Sequence, residues 1–207
     1  MVSQVNGDRR RALGVAAVVL AAGASSRLGW AKQLLTFGGK CLVRHVVDTA
    51  AAAACSPIVV VVGARAGSVL EALAGSEAQA VENPEWREGI AGSLRRGIQT
   101  LPEQVNAAIV LLCDQPAVSP ALLRALVATQ RNTGKTIVAC RWNDTTGPPA
   151  LFLREQFPAL LALSGDEGAR SILRNAGDGA AFVEFPDGAF DVDTPEDWAR
   201  WQGRSKA

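Results

Sequence analysis

The sequence predicts an α/β fold: one three-layer α/β/α domain around a mostly parallel sheet. Three observations lead there. Short apolar runs rich in valine alternate along the chain with longer alanine- and leucine-rich segments of helical period. The short runs are apolar throughout, as expected of strands buried on both faces of a parallel sheet. The 207 residues, 48% hydrophobic and 20% charged, suffice for the core of a single globular unit.

Taken in order, Val15–Ala21 is the first such strand. Cys41–Cys55 is alanine-rich and helical, and it ends before Pro57. Ile58–Val62 is the clearest strand, stopped by Gly63, and Ser68–Leu73 is a short helix. A helix over Ser93–Leu101 is closed by Pro102, and Ala107–Cys113 is a third buried strand. Pro120–Arg131 is a helix with Pro in its first turn and Ser119 as N-cap. Thr136–Cys140 is a fourth strand, followed by helices over Glu155–Leu163 and Glu167–Asn175 and a short strand over Ala181–Glu184. The last helix, Pro195–Trp201, has Thr194 as N-cap and Glu196 and Asp197 in its first turn, where the helix dipole favours negative charge. The expected organisation is a disordered basic tail over residues 1–12, one domain over 13–203 and a short tail over 204–207.

Composition excludes several functions. The 21 basic and 20 acidic residues leave a formal net charge of +1, so nothing drives the chain as a whole toward nucleic acid or membrane. Any bound anion must be met by a local arrangement. The four cysteines, Cys41, Cys55, Cys113 and Cys140, form no C-x-x-C pair, and His45 is the single histidine, so no zinc-finger spacing exists. Reduced thiols in a cytoplasmic protein are expected. Arg9-Arg10-Arg11 before an apolar stretch has the outline of a twin-arginine export signal. That stretch reads instead as a buried strand running into a patterned loop, and it is shorter than the ~18 residues of a membrane span.

In parallel α/β sheets ligands bind beyond the carboxyl ends of the strands, so the residues after Ala21, Val62, Cys113 and Cys140 matter most. After the first strand comes Leu20-Ala21-Ala22-Gly23-Ala24-Ser25-Ser26-Arg27-Leu28-Gly29-Trp30-Ala31-Lys32. Its small residues let backbone approach a ligand, successive N–H groups can cup an anion, and Arg27 and Lys32 add positive charge. The pattern is neither G-x-G-x-x-G nor a P-loop. The same residues also fit an ordinary strand-to-helix loop with solvated charges. Asp114, followed by Gln115 and Pro116, sits at the end of a central strand, where a carboxylate suits a hard cation such as Mg²⁺; a turn or capping role is the other reading. In Asp191-Val192-Asp193-Thr194-Pro195-Glu196-Asp197, an extended backbone directs Asp191 and Asp193 to one face, where they would complete a cation site or face a polar substrate; turn and capping chemistry is the other reading.

These motifs, L-A-A-G-x-S-x-R-x-G-x-x-K, D-x-P and D-x-D-T-P-E-D, resemble the MobA-like nucleotidyltransferase family, within it most nearly the molybdenum cofactor cytidylyltransferase group. Asn83-Pro84-Glu85-Trp86 with Gly89, Ser93, Leu94 and Gly97 matches a further motif, as do Gly147-Pro148-Pro149 and Leu163-Ser164-Gly165-Asp166-Glu167-Gly168-Ala169-Arg170. The resemblance runs from about Val15 to Trp201. It implies a Rossmann-like nucleotidyltransferase fold that moves CMP from CTP to a phosphorylated acceptor, molybdopterin, with Mg²⁺ and release of pyrophosphate. Leu20, Ala21, Ala22 and Gly23 would hold the nucleotide, Arg27 and Lys32 the triphosphate, and Ser93 with Gly89 the base. Asp114 would bind Mg²⁺, with Asp191 or Asp193 as second ligand, and the Gly165–Arg170 segment would shape the acceptor side. Leu-Ala-Ala-Gly goes with cytidine in this family, and Leu-Ala-Gly-Gly with guanosine. A molybdenum hydroxylase apoenzyme is the implied partner. Rival readings are transfer to another phosphorylated acceptor such as methylerythritol phosphate, guanylyl transfer, and a non-catalytic protein that delivers molybdenum cofactor to a xanthine dehydrogenase-type enzyme.

Overall fold

The structure, a computed structural model, describes residues 14–26 and 28–204. The expected basic tail over residues 1–12 lies outside the described residues. Nine strands and seven α-helices are described: β1 (Val15–Ala21), β2 (Thr36–Phe37), β3 (Lys40–Cys41), α1 (Leu42–Ala52), β4 (Ile58–Val62), α2 (Ala66–Leu73), β5 (Gln79–Glu82), α3 (Ile90–Gln99), β6 (Ala107–Leu112), α4 (Pro120–Thr133), β7 (Ile137–Trp142), β8 (Thr145–Leu153), α5 (Phe157–Leu161), α6 (Ala169–Asn175), β9 (Ala180–Glu184) and α7 (Pro195–Arg204).

Seven strands form the central sheet in the order β5-β4-β1-β6-β8-β7-β9, and β2 and β3 form a separate hairpin. Every pairing in the central sheet is parallel except those of β8, which runs antiparallel to β6 and β7. Successive side chains of a strand face opposite ways. Val15, Ala17 and Val19 of β1 therefore join a core with α1, α2 and α4, while Ala16, Val18 and Leu20 join one with α3, α5 and α6. Helices thus cover both faces, and β1 is buried along its whole length. Gly97 lets α3 lie directly on the sheet, since a Cβ there would stand 2.4 Å from Val18 Cγ1.

Several elements differ from the sequence expectations. The hairpin, β5 and β8 were not expected, and α3 begins at Ile90 rather than Ser93. The helix expected over Glu155–Leu163 is a 3-10 turn, Arg154–Gln156, followed by α5. Arg204 belongs to α7, where its Nη1 donates to Asp187 Oδ1 at 3.0 Å, so the expected tail does not begin there. β8 was hidden by its prolines, which cannot donate to a ladder. The β7–β8 register steps from Ala139–Ala150 to Cys140–Gly147, so Pro148 and Pro149 fall in a bulge, outside the ladder.

No helix among the described residues is long and apolar enough to cross a membrane. Cys55, Cys113 and Cys140 are buried and Cys41 half-buried, all as free thiols. His45 is half-buried and its Nε2 lies 3.2 Å from the Pro116 carbonyl oxygen, tying α1 to the turn after Asp114.

Candidate active site

The loop after β1 is folded around a buried glutamine. Gln33 Nε2 donates to the carbonyl oxygens of Ala21 at 2.9 Å and Gly23 at 2.7 Å. Ser25, held at φ 56°, accepts a hydrogen bond on Oγ from Lys32 N at 3.1 Å. Its carbonyl accepts from the backbone of Leu28 and Gly29. The loop is thereby curled, and a Cβ on Gly23 would meet nothing within 4 Å, so its backbone opens onto free space. Lys32 then enters a 3-10 turn.

From that turn the Lys32 ammonium reaches the two carboxylates that the sequence left far apart. Its Nζ forms an ion pair with Asp114 Oδ2 and lies 3.3 Å from Asp193 Oδ1. The segment carrying Asp193 is pinned beside the end of β6. Val192 N donates to Asp114 O at 2.9 Å, and the Val192 side chain is buried in a small cluster with Leu42 and Trp198. Because Val192 points into that cluster, its neighbours Asp191 and Asp193 turn the other way. Asp191 Oδ1 accepts from Gln115 Nε2 at 3.0 Å. Behind this, Thr194 and Asp197 form a reciprocal cap on α7: Asp197 Oδ2 accepts from Thr194 N, Thr194 Oγ1 and Asp193 N, and Asp197 N donates to Thr194 Oγ1.

Charge is balanced tightly here. Burial works against the Lys32 ammonium, but the Asp114 carboxylate, aided by Asp193, outweighs it and raises its pKa. Burial and the neighbouring charge of Asp114 raise the Asp191 carboxyl, opposed by the Gln115 hydrogen bond and Arg170. Burial pushes the Cys113 thiol up to about 12, so it stays protonated.

Two cavities meet at this cluster. One, of about 710 Å³, is bounded by the β1 loop and by the start of α3; Ala22, Gly23, Trp86, Gly89, Ser93 and Asp114 are among its walls. Ser93 Oγ accepts from the buried Asn83 Nδ2 at 3.0 Å, and the Arg87 guanidinium stacks over the Trp86 ring at 4.3 Å. The other, of about 520 Å³, lies where the sheet forks. β6 pairs with β8 only as far as Val110–Ala150, and beyond that point Val110, Leu112 and Pro148 line the cavity with α6, Asp191 and Asp193. Lys32, Asp114 and Asp166 line both. A smaller hollow of about 140 Å³ lies between Gly23, Ser25, Ser26 and Lys32. The wall common to both sides is tight. Gly89, at φ 111°, packs on the Gly165 carbonyl, 2.2 Å from where a Cβ would be, and Ala91 N donates to that same oxygen.

The structure thus brings Leu20, Ala22, Gly23, Lys32, Gly89, Ser93 and Asp114 to the first cavity, and Asp191 and Asp193 to the second. The Ala21 side chain is buried in the core instead, and only its carbonyl serves the site, through Gln33. Arg27 lies outside the described residues. Sequence reasoning missed Gln33 and Gln115. Their only signal is an uncharged polar side chain directly after a charged residue of interest, facing inward.

Among the described residues no three His, Cys, Asp or Glu side chains stand together as a metal cage. The carboxylates present nevertheless fit a hard divalent cation. Asp114 Oδ1 is buried with no hydrogen-bond partner among the described residues, and such a cation needs only one or two carboxylates when phosphate oxygens and water complete its shell.

The chain is similar to several known proteins. The family described as "MobA-like NTP transferase domain" matches residues 17–180. The purine catabolism protein PucB of Bacillus subtilis is 29% identical over 193 residues, 87% of this chain and 92% of PucB. The bifunctional protein GlmU of Cupriavidus necator is 34% identical over 134 residues, and the match spans only 29% of GlmU. Among solved structures, Rv0371c of Mycobacterium tuberculosis superposes with a TM-score of 0.81 at 30% identity, covering 93% of this chain and 100% of that one. A manganese complex of Rv0371c superposes with a TM-score of 0.74 at 28% identity, covering 92% and 98%. A nucleotidyl transferase of Methanothermobacter thermautotroptrophicus superposes with a TM-score of 0.79 at 27% identity, covering 92% and 96%. With most of its length matched and its fold shared, the chain belongs to the MobA-like nucleotidyltransferase family.

Proposed function

We propose that the chain transfers a cytidylyl group from CTP to a phosphorylated acceptor of the molybdopterin type. The observation that carries this reading is the Lys32 ammonium, paired with Asp114 and Asp193 where the two cavities meet. The first cavity takes the nucleotide, with backbone at Leu20–Gly23 on its phosphates and Ser93 and Gly89 toward the base. The second takes the acceptor. An oxygen of the acceptor phosphate attacks the α-phosphorus, a new P–O bond forms, and the bond from the α-phosphorus to the bridging oxygen of the β-phosphate breaks. The electron pair leaves with pyrophosphate, for which the hollow beside Gly23, Ser25 and Lys32 offers a place. The attacking oxygen is already an anion at neutral pH, so no general base is required, and the protonated Cys113 takes no part. What remains is positioning and charge stabilisation. Lys32 supplies fixed positive charge, and Arg27 adds to it. Asp114, with Asp191 or Asp193, would hold Mg²⁺, which supplies further positive charge to the phosphate oxygens.

The Ala22 of Leu20-Ala21-Ala22-Gly23 favours cytidine. PucB, named for purine catabolism, favours a partner that oxidises purines, such as a molybdenum hydroxylase apoenzyme of the xanthine dehydrogenase type in the cytoplasm. The test is pyrophosphate release on mixing the protein with molybdopterin, Mg²⁺ and either CTP or GTP. Release with CTP is expected. Release with GTP alone overturns the cytidine assignment, and release with neither overturns the transfer reaction in favour of a delivery role.

A further inference from the structure

Gln33 is 1% exposed, and its amide reaches three groups of one loop. Its Nε2 donates to the carbonyl oxygens of Ala21 and Gly23, and its Oε1 accepts from Ser25 Oγ at 3.4 Å. A carbonyl oxygen only accepts, so the end of the amide that faces both carbonyls is the –NH₂. The carbonyl between them, that of Ala22, accepts from Ala64 N at 3.0 Å. Three successive carbonyl oxygens are thus held by donors of the protein. In a planar trans peptide the C=O and the N–H that follows it point in opposite directions. The N–H groups of Ala22, Gly23 and Ala24 therefore point away from the groups that hold those carbonyls. Those of Gly23, Ala24 and Ser25 donate no hydrogen bond among the described residues. Gly23 and Ala24 line the first cavity, and Gly23 and Ser25 the small hollow beside it. What the loop offers a ligand is a run of N–H dipoles with its carbonyls engaged elsewhere, which suits an anion with several oxygens.

We propose that Gln33 is a positioning residue for the phosphate chain of the nucleotide: it holds the Ala21 and Gly23 carbonyls back so that the loop presents N–H groups alone. The inference rests on the reading that the first cavity takes the nucleotide, and it assigns Gln33 to the phosphates and not to the base. Glutamine suits the task because one uncharged nitrogen carries two protons for two carbonyls in a buried place. Methionine would fill the same space and hold neither carbonyl, so that either peptide could turn over and set an oxygen against the phosphates. Asparagine keeps the –NH₂ but is one methylene shorter.

The test is a titration of the isotope-labelled full chain, with Mg²⁺, by CTP and by tripolyphosphate, followed through the backbone amide resonances. In wild type both probes should shift the Gly23 and Ala24 amides, and CTP should also shift Ser93, which lines the same cavity from α3. Gln33→Met should bind each probe ~10–100-fold more weakly, the worth of one charge-assisted hydrogen bond. At saturating CTP its Ser93 shift should return, while those of Gly23 and Ala24 should not. Gln33→Asn should lose part of the affinity in the same pattern, and it decides the matter if Gln33→Met does not fold. Unchanged affinity in the folded variants overturns the inference. Loss of the Ser93 shift together with the loop shifts also overturns it, since Gln33 would then support the whole cavity. CTP binding by wild type that leaves Gly23 and Ala24 unmoved overturns the inference alone, whereas wild type that binds neither probe overturns the nucleotide reading with it.

Discussion

Replacing Lys32 by Met keeps a long unbranched side chain and removes the charge. Its consequences for stability and for rate differ in size. The ammonium lies against Asp114 and Asp193, with side-chain exposures of 17% for Lys32, 12% for Asp114 and 30% for Asp193. Removing one partner of a fully buried pair costs ~3–5 kcal/mol, because the other charge is left uncompensated. Here the carboxylates form a cavity wall that water or a cation can reach, so the expected loss is smaller, ~1–3 kcal/mol. Against a total stability of ~5–15 kcal/mol the variant stays folded. The rate should suffer more, falling ~10²–10³-fold, the range for one preorganised charge stabiliser. The pH dependence has a definite sign. Lys32 is raised in the fold, so its contribution is complete below the unfolded value of ~10.4 and is lost only as pH climbs through the higher folded value. Wild type therefore shows no effect of Lys32 titration between pH 5 and 9 (roughly the working range). Urea denaturation at neutral pH, run beside pyrophosphate release, measures both. Wild-type turnover by the folded variant, or a stability equal to that of wild type, would refute the reasoning.

Asp114→Asn replaces the carboxylate by a neutral amide and removes the charge that holds Lys32; Mn²⁺ binding followed by electron paramagnetic resonance should be lost, and unchanged Mn²⁺ affinity would place the cation elsewhere. Asp191 is raised in the fold by burial and by Asp114, so its ionised form opposes folding at neutral pH, and that penalty fades as pH falls toward the unfolded value of ~4. Asp191→Asn should therefore raise the Tm at pH 7 with the gain vanishing near pH 4, and thermal melts at the two values test the sign. Gly89→Ala puts a Cβ 2.2 Å from the Gly165 carbonyl oxygen at a φ of 111°. Left-handed strain of ~1–2 kcal/mol and overpacking of ~1–3 kcal/mol predict a loss of ~2–5 kcal/mol in urea denaturation, and a neutral result would mean that the 164–168 loop yields freely.

What could be read from the chain follows from how local each signal is. β1, β4 and β6 are apolar throughout because both faces are covered, and their shortness and β-branched content mark them as strands rather than buried helix. β5, Gln79–Glu82, is an edge strand with exposed ends, so its residues carry no continuous apolar signal. Candidate residues at strand ends were legible for the same reason as the strands: Asp114 follows β6, and the alternation about Val192 sends Asp191 and Asp193 to one side. Their meeting with Lys32 was not legible. It depends on one backbone hydrogen bond, Val192 to Asp114, between segments 78 residues apart (192 − 114), and on the buried Gln33 that curls the loop carrying Lys32. Neither contact leaves a periodic trace.

The one antiparallel strand of the central sheet explains why a glycine and two prolines in mid-sequence border the second cavity. Because β8 runs against its neighbours, its first residues, not its last, stand at the edge where the parallel strands end. Gly147 is there without a side chain, since a Cβ would stand 2.8 Å from the Trp142 ring and 2.9 Å from Arg170 Nε. Pro148 and Pro149 occupy the bulge, donate nothing to β7, and let β8 part from β6 beyond Ala150. A regular ladder continued to Leu112 would close the fork in which the second cavity lies. The glycine and prolines therefore open the second cavity and leave room for Arg170 beside it, a role that a reading confined to strand tips and charged residues assigns to neither.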